Sequence, residues 1–279
     1  MTMAAIQFTE PRGLPPHIAA LPKAKKLQLL SLLEEKRRRQ AQRLYYELYP
    51  EEDARWKGTQ IQKGLIATGQ TLHARGKYPK HMEFFAAGAK YRERCAMCAN
   101  RVGKTLGMGA YEMAAHLTGE YPDWWEGRRF THPVSAWAAG KGFETTRDIM
   151  QLCLLGEVSY KEGRKTVDGR GVIPGKALGQ PTWKSGVADL VDTIHVRHIS
   201  GGWSDLGFKS YEQGRGSFEG TGKHVIWDDE EPPLDVYGEQ LIRTATVDGI
   251  VMITFTPLEG MSEVVLQFMP ADQRPDFTT

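Results

Sequence analysis

An apolar run, Arg94 to Ala99, leads into Cys98-Ala99-Asn100-Arg101-Val102-Gly103-Lys104-Thr105, and a helical pattern over Leu106 to Leu117 follows directly. A strand that turns through Gly-Lys-Thr into a helix has the form of a phosphate-binding loop, G-x-x-x-x-G-K-[ST]. Gly103 lets backbone N–H groups approach an anion closely. Lys104 brings a positive charge to it, Thr105 offers a hydroxyl to a divalent cation, and the helix N-terminus adds its dipole. Cys98 stands where the first glycine of the pattern belongs, so the loop alone is ambiguous. It still commits the chain to a strand–loop–helix unit.

The rest of the chain agrees with such a unit. Arg94 to Ala99, Pro133 to Ala139, Ile194 to Ile199, Val225 to Trp227 and Ile250 to Phe255 read as strands, several of them nearly continuous apolar runs. That pattern suits a sheet covered by helices on both faces. Helical patterns follow the first two, around Leu106 to Leu117 and Phe143 to Leu155, and the alternation predicts an α/β fold with a mainly parallel central sheet. Residues 156–190 read as a loop-rich insertion. Residues 1–22 read as a proline-rich leader, and Lys23 to about Leu48 as a helix that Pro50 ends. The expected division is a leader and helical arm over 1–55 and one α/β domain over 56–279.

Charge and cysteine usage narrow the function classes only a little. The net charge of +2 announces no nucleic-acid partner by itself, but residues 1–50 hold nine Lys/Arg against four Asp/Glu, leaving 27 against 30 for the remainder. The run Lys36-Arg37-Arg38-Arg39 is either a polar helix face or a contact for DNA or a partner subunit, with the polar face favoured. Three cysteines do not make a disulfide framework. Cys95 and Cys98 have C-x-x-C spacing without a second ligand pair, and read as buried strand residues rather than a metal site. No apolar run is long enough for a membrane span and no secretory signal is visible.

A second cluster carries chemistry. His224-Val225-Ile226-Trp227-Asp228-Asp229-Glu230-Glu231-Pro232-Pro233 is an apolar strand that ends in four carboxylates. In a parallel sheet its end falls at the edge where ligands bind, beside the phosphate loop. One Asp there can hold Mg2+, and the next Glu can orient and deprotonate an attacking water.

The N-R-x-G-K-T loop, the later D-E-E-P-P and the string Thr254-Phe255-Thr256-Pro257-Leu258-Glu259-Gly260-Met261 together resemble the large terminase ATPases of tailed bacteriophages. The likeness is greatest to the short-tailed, headful-packaging branch and covers roughly residues 78–268. It implies a P-loop NTPase fold of the ASCE/RecA-like type, and an ATP- and Mg2+-dependent ATPase that moves double-stranded DNA into a procapsid in the host cytoplasm. Its implied partners are the portal protein, the small terminase subunit and further copies in a ring, with a monomer in isolation also compatible.

The resemblance also assigns residues. It makes Asn100 to Thr105 the nucleotide loop, with Thr105 and Asp229 at the metal and Arg101 as a cis arginine near the γ-phosphate or the acidic cluster. Glu230 becomes the catalytic base, Glu231 its competitor, and Asp228 takes a position that is usually apolar. Thr254 and Thr256 fall in the coupling segment. Arg215 is the candidate for an arginine donated to a neighbouring subunit, with Arg243 as runner-up. Tyr78 and His81 lie where the base of the nucleotide is held, His81 in place of a family glutamine; alternatively they simply begin a helix. Complete members add an RNase H-like nuclease. The ten residues after Met269 are too few for one, so no nuclease activity is expected. A nucleotide-switched assembly protein and a helicase-type ATPase are the rival readings.

Overall fold

The computed structural model describes residues 20–40, 44–58, 66–258, 260–269 and 272, in two compact units, Met1–Ala41 and Gln42–Thr279. The first contains the helix Lys23–Gln40, on which the basic run lies; the side chains of residues 34–40 are outside the described part, as is most of the leader. The unit boundary comes earlier than residue 55. Leu44, Tyr45 and Tyr49 are the cause, because the short helix Leu44–Glu47 and the turn after it bury these residues in the core of the second unit.

In chain order the strands are β1 (Ala54–Arg55), β2 (Thr71–Leu72), β3 (Glu93–Met97), β4 (Ser135–Gly140), β5 (Val158–Lys161), β6 (Arg164–Val167), β7 (Leu178–Trp183), β8 (Val191–Arg197), β9 (Trp203–Ser210), β10 (Val225–Asp229) and β11 (Ile250–Phe255). Seven of them form one sheet in the order β3-β11-β10-β4-β9-β8-β7. The five from β3 to β9 are parallel, as the strand–helix alternation predicts. β8 and β7 then run antiparallel at the far edge. The segment 156–190, read from sequence as loop, contains the β5–β6 hairpin and β7.

Strand alternation sends successive side chains to opposite faces, and both faces of the first four strands are covered. Val225, Trp227, Ile250 and Met252 join the core that contains the helix Tyr111–Thr118. Ile226, Val251, Ile253 and Phe255 join a second core under the helices Leu234–Ala245 and Glu263–Phe268. Each such fully buried side chain contributes about 1.5–3 kcal/mol. β8 and β9 bury one face only: Ile194, Val196, Leu206 and Phe208 point inward while His195 and Arg197 are exposed. Among the described residues no helix is long and apolar enough to cross a membrane.

A buried ionic network fastens β3 to the helix behind the loop. Arg94 makes two hydrogen bonds to Glu112, at 3.1 and 2.7 Å, and a third to the Phe84 carbonyl. His116 Nε2–H donates to Glu112 at 3.0 Å, and Tyr121 O–H donates to His116 Nδ1. Burial lowers the His116 pKa and keeps the ring neutral, which this donor pattern requires.

Candidate active site

β3 ends at Met97 and the chain turns through residues 98–103 with two left-handed residues, Arg101 (φ 63°) and Gly103 (φ 84°). Only at Gly103 is that conformation free of a Cβ penalty. The next seven residues, Lys104–Ala110, are wound as a π-helix that continues as Tyr111–Thr118. Gly107 N and Met108 N both donate to the Gly103 carbonyl, at 2.7 and 3.2 Å. Wide winding of this kind is frequent at functional sites. Here a Cβ at Gly109 would lie 2.1 Å from the Trp227 ring, so the helix reaches β10 only because that residue is glycine.

β11 lies between the strand that feeds the loop and the strand that carries the acids. That order brings the two sequence motifs to one edge of the sheet. Thr105 Oγ1 donates to Asp229, 3.0 Å from Oδ1 and 3.2 Å from Oδ2. Lys104 Nζ is 3.5 Å from Glu230 Oε1 and donates to Thr256 Oγ1 at 2.8 Å, and Thr256 in turn donates to Asn100 Oδ1 at 3.0 Å. Asn100, Glu230, Glu231 and Thr256 share a cavity of about 570 Å³ with Lys141, Tyr211 and Ser262.

The four carboxylates separate into distinct environments. Asp228 is fully buried; Gln240 Nε2–H donates to its Oδ1 at 2.7 Å, and burial pushes its pKa up to about 7. Asp229 is nearly as buried, and burial likewise raises it to about 7 although Thr254 and Thr105 donate to it. Glu231 is engaged by the Ser262 hydroxyl, which also caps the helix Glu263–Phe268. Glu230 lines the cavity and, of the four, is the one in an ion pair with Lys104. Its backbone is left-handed (φ 76°), and Tyr211 O–H donates to its carbonyl at 2.9 Å. Strained residues of this kind persist only where their surroundings hold them, and they cluster at functional positions.

Thr254 and Thr256, which the resemblance puts in the coupling segment, differ in their surroundings. Thr254 is fully buried, accepts from Trp227 Nε1–H at 2.8 Å and donates to Asp229 at 2.9 Å, so it orients the aspartate from behind. Thr256 faces Lys104 and Asn100 at the loop. Val102 is exposed on the loop's outer side and Arg101 is exposed with no ion pair among the described residues. Glu259 lies outside the described residues.

Two of the residues assigned by the resemblance already have partners within the chain. His81 is not open to a ligand: it is buried in the helix Pro79–Ala87, with Nε2 on the Val102 carbonyl and Nδ1 on Tyr49, and Tyr78 stacks on its ring. Tyr78 caps this helix and is half-buried, and His81 lies in its first turn. Arg215 is not free: its guanidinium bonds Glu239 at 3.1 and 3.2 Å, and Arg243 holds the same buried carboxylate at 3.0 Å. Gly109, Trp227 and Gln240 were missed. Their signal is spatial, since Gly109 is 118 positions from the ring it accommodates.

A sequence profile of the large terminase subunit, T4likevirus-type, N-terminal family matches residues 95–279, about two-thirds of the chain. The chain belongs to the large terminase family. The large terminase subunit of Salmonella phage P22 is 38% identical over 217 residues, covering 71% of this chain and 42% of that protein. The chain therefore spans less than half the length of that curated relative. Among solved structures, a mutant ATPase domain of the Thermus phage P74-26 large terminase has a TM-score of 0.34 at 14% identity, covering 65% of this chain and 69% of that one. A large terminase from a thermophilic bacteriophage, in complex with ADP, has a TM-score of 0.37 at 11% identity, covering 63% and 38%. Family membership rests on the profile and agrees with the three motifs read from the sequence. In the terminase frame, the profile spans the nucleotide loop, the acidic strand end and the Thr254 to Met261 segment.

Proposed function

We propose that this terminase chain hydrolyses ATP at the β3/β10 edge, and that in its assembled form this hydrolysis moves double-stranded DNA into the viral procapsid. The observation that carries the reading is the convergence of Lys104, Thr105, Asp229, Glu230 and Thr256, from three different elements, on one sheet edge.

The chemistry follows from their positions. Lys104 leaves Thr256 and Glu230 for the β- and γ-phosphate oxygens, and the Thr256 hydroxyl turns its proton from Asn100 to the γ-phosphate. Glu230, released from Lys104, takes a proton from a water placed in line with the γ-phosphorus. The water oxygen–phosphorus bond forms, the bond to the bridging oxygen breaks, and its electron pair leaves with ADP. The Thr105 hydroxyl and the Asp229 carboxylate, 3.0 Å apart, form a hard-oxygen pair of the type that holds Mg2+ together with phosphates and waters. Magnesium bound there would supply positive charge to the phosphates and favour the ionised form of Asp229 that burial disfavours. Arg101 is the cis arginine of this reading, exposed at the loop.

Arg215 is the arginine for a neighbouring copy in a ring. Glu239 is 3% exposed and has two guanidinium partners. Arg215, itself 55% exposed, can leave without orphaning the carboxylate, because Arg243 stays. Double-stranded DNA, the portal protein and the small terminase subunit are the partners, and the site of action is the host cytoplasm.

The test is phosphate release by wild type, Lys104→Ala and an equal mixture of Arg215→Ala with Glu230→Ala, across a concentration series and with or without double-stranded DNA. Magnesium-dependent hydrolysis that Lys104→Ala abolishes, and that the mixture partly recovers, is expected. Absence of hydrolysis by wild type at every concentration, with and without DNA, would contradict the reading.

A further inference from the structure

A planar trans peptide points its C=O and its N–H in opposite directions. Whatever grips the Val102 carbonyl therefore sets the direction of the Gly103 N–H, a donor in the middle of the phosphate-binding loop. His81 grips it: Nε2–H donates to Val102 O at 3.0 Å.

The ring that does this is fixed on every side. Tyr49 O–H lies 2.6 Å from Nδ1 and 2.9 Å from the Gly107 carbonyl in the π-helical turn. The Val102 carbonyl can only accept, so the proton of the neutral imidazole sits on Nε2 and Nδ1 is the acceptor that faces Tyr49. Burial lowers the His81 pKa, in keeping with the neutral ring. Tyr78 stacks on the ring at 5.1 Å. A Cβ at Gly103 would meet His81 Cε1 at 3.3 Å, and one at Gly107 would meet the Tyr49 hydroxyl at 2.9 Å. Two loop and helix glycines thus let the histidine and the tyrosine come this close to the backbone.

We propose that His81, held by Tyr49, is a positioning residue of the nucleotide site: it turns the Val102–Gly103 peptide so that the Gly103 N–H faces the nucleotide phosphates. It acts through the backbone of the loop and touches no part of the base. The proposal rests on the reading of this loop as the ATP site. It also gives the residues 44–50 segment, remote in sequence from every motif, a part in nucleotide affinity.

The decisive pair of variants is His81→Gln and His81→Met, of nearly equal volume, of which only glutamine carries an N–H donor. Affinity for the fluorescent nucleotide mant-ATP with magnesium, and KM and kcat for ATP, are measured for both, for Tyr49→Phe and for wild type. Expected is an about tenfold weaker Kd and higher KM for His81→Met, with kcat changed less than about threefold. His81→Gln should stay within about threefold of wild type, and Tyr49→Phe should fall between. Equal affinities of the Gln and Met variants would overturn the proposal, as would wild-type affinity in Tyr49→Phe together with His81→Met. Failure of wild type itself to bind the nucleotide would instead overturn the reading of the site.

Discussion

Each carboxylate at the end of β10 does something different, and burial separates them. Asp228 has a folded-state pKa of about 7 against 3.8 for an exposed aspartate, because burial penalises its charge. A raised carboxyl stabilises the fold fully below the unfolded value, and that contribution is lost as pH rises through 7. Asp228→Asn is therefore expected to raise Tm by several degrees at about pH 8, with the gain shrinking as pH falls toward 5; a pH-independent difference in a thermal-unfolding series would contradict this. Asp228 Oδ2 and Gln240 Oε1 lack hydrogen-bond partners among the described residues, and an amide at residue 228 carries no charge for burial to penalise. Thr256 makes a separate prediction. Thr256→Val removes the hydroxyl between Lys104 and Asn100 while keeping the shape. Turnover should fall about tenfold or more with ATP binding retained, as judged by kcat against mant-ATP affinity; unchanged kcat would remove Thr256 from the mechanism.

The sheet and the helix behind the loop form the frame that puts these residues together. A Cβ at Gly109 meets the Trp227 ring at 2.1 Å, so Gly109→Ala forces the helix off β10 and should cost about 1–3 kcal/mol; denaturant unfolding with no loss of stability would show that the ring yields. Glu112→Gln unbalances the Arg94–Glu112–His116 network, and breaking such a buried pair costs about 3–5 kcal/mol. That corresponds to a Tm lower by roughly 10 °C in a chain of this size. The frame was partly legible in the sequence. The continuous apolar runs at Val225 to Trp227 and Ile250 to Phe255 announced doubly covered parallel strands, and they are β10 and β11. β9 escaped because Trp203 and Lys209 stand among its inward Leu206 and Phe208, the mixed composition of a strand buried on one face. β5 and β6 escaped because a polar, solvent-facing hairpin has no apolar alternation to betray it. In the network around Glu112 only the i,i+4 spacing of Glu112 and His116 is visible in one dimension, and nothing in the sequence marks Arg94 as their partner.

For the molecule as a whole, sheet order accounts for the site better than any single motif does. With β11 between β3 and β10, the phosphate loop, the acidic strand end, Thr254 and Thr256 meet at one edge, although more than 150 residues separate Lys104 from Thr256. This is why three motifs in order were readable as one site, while the partners of His81 and Arg215 within the chain were not: they depend on helices whose placement the motifs do not specify. Glu230, paired with Lys104, is the proposed proton acceptor, and Glu231, paired with Ser262, is the proposed structural carboxylate. The most direct test is ATP hydrolysis by Glu230→Gln beside Glu231→Gln, with mant-ATP binding measured on the same preparations. Turnover at least about 100-fold lower is expected for Glu230→Gln with binding retained, and a loss of only a few-fold for Glu231→Gln. Wild-type turnover in Glu230→Gln would contradict this assignment.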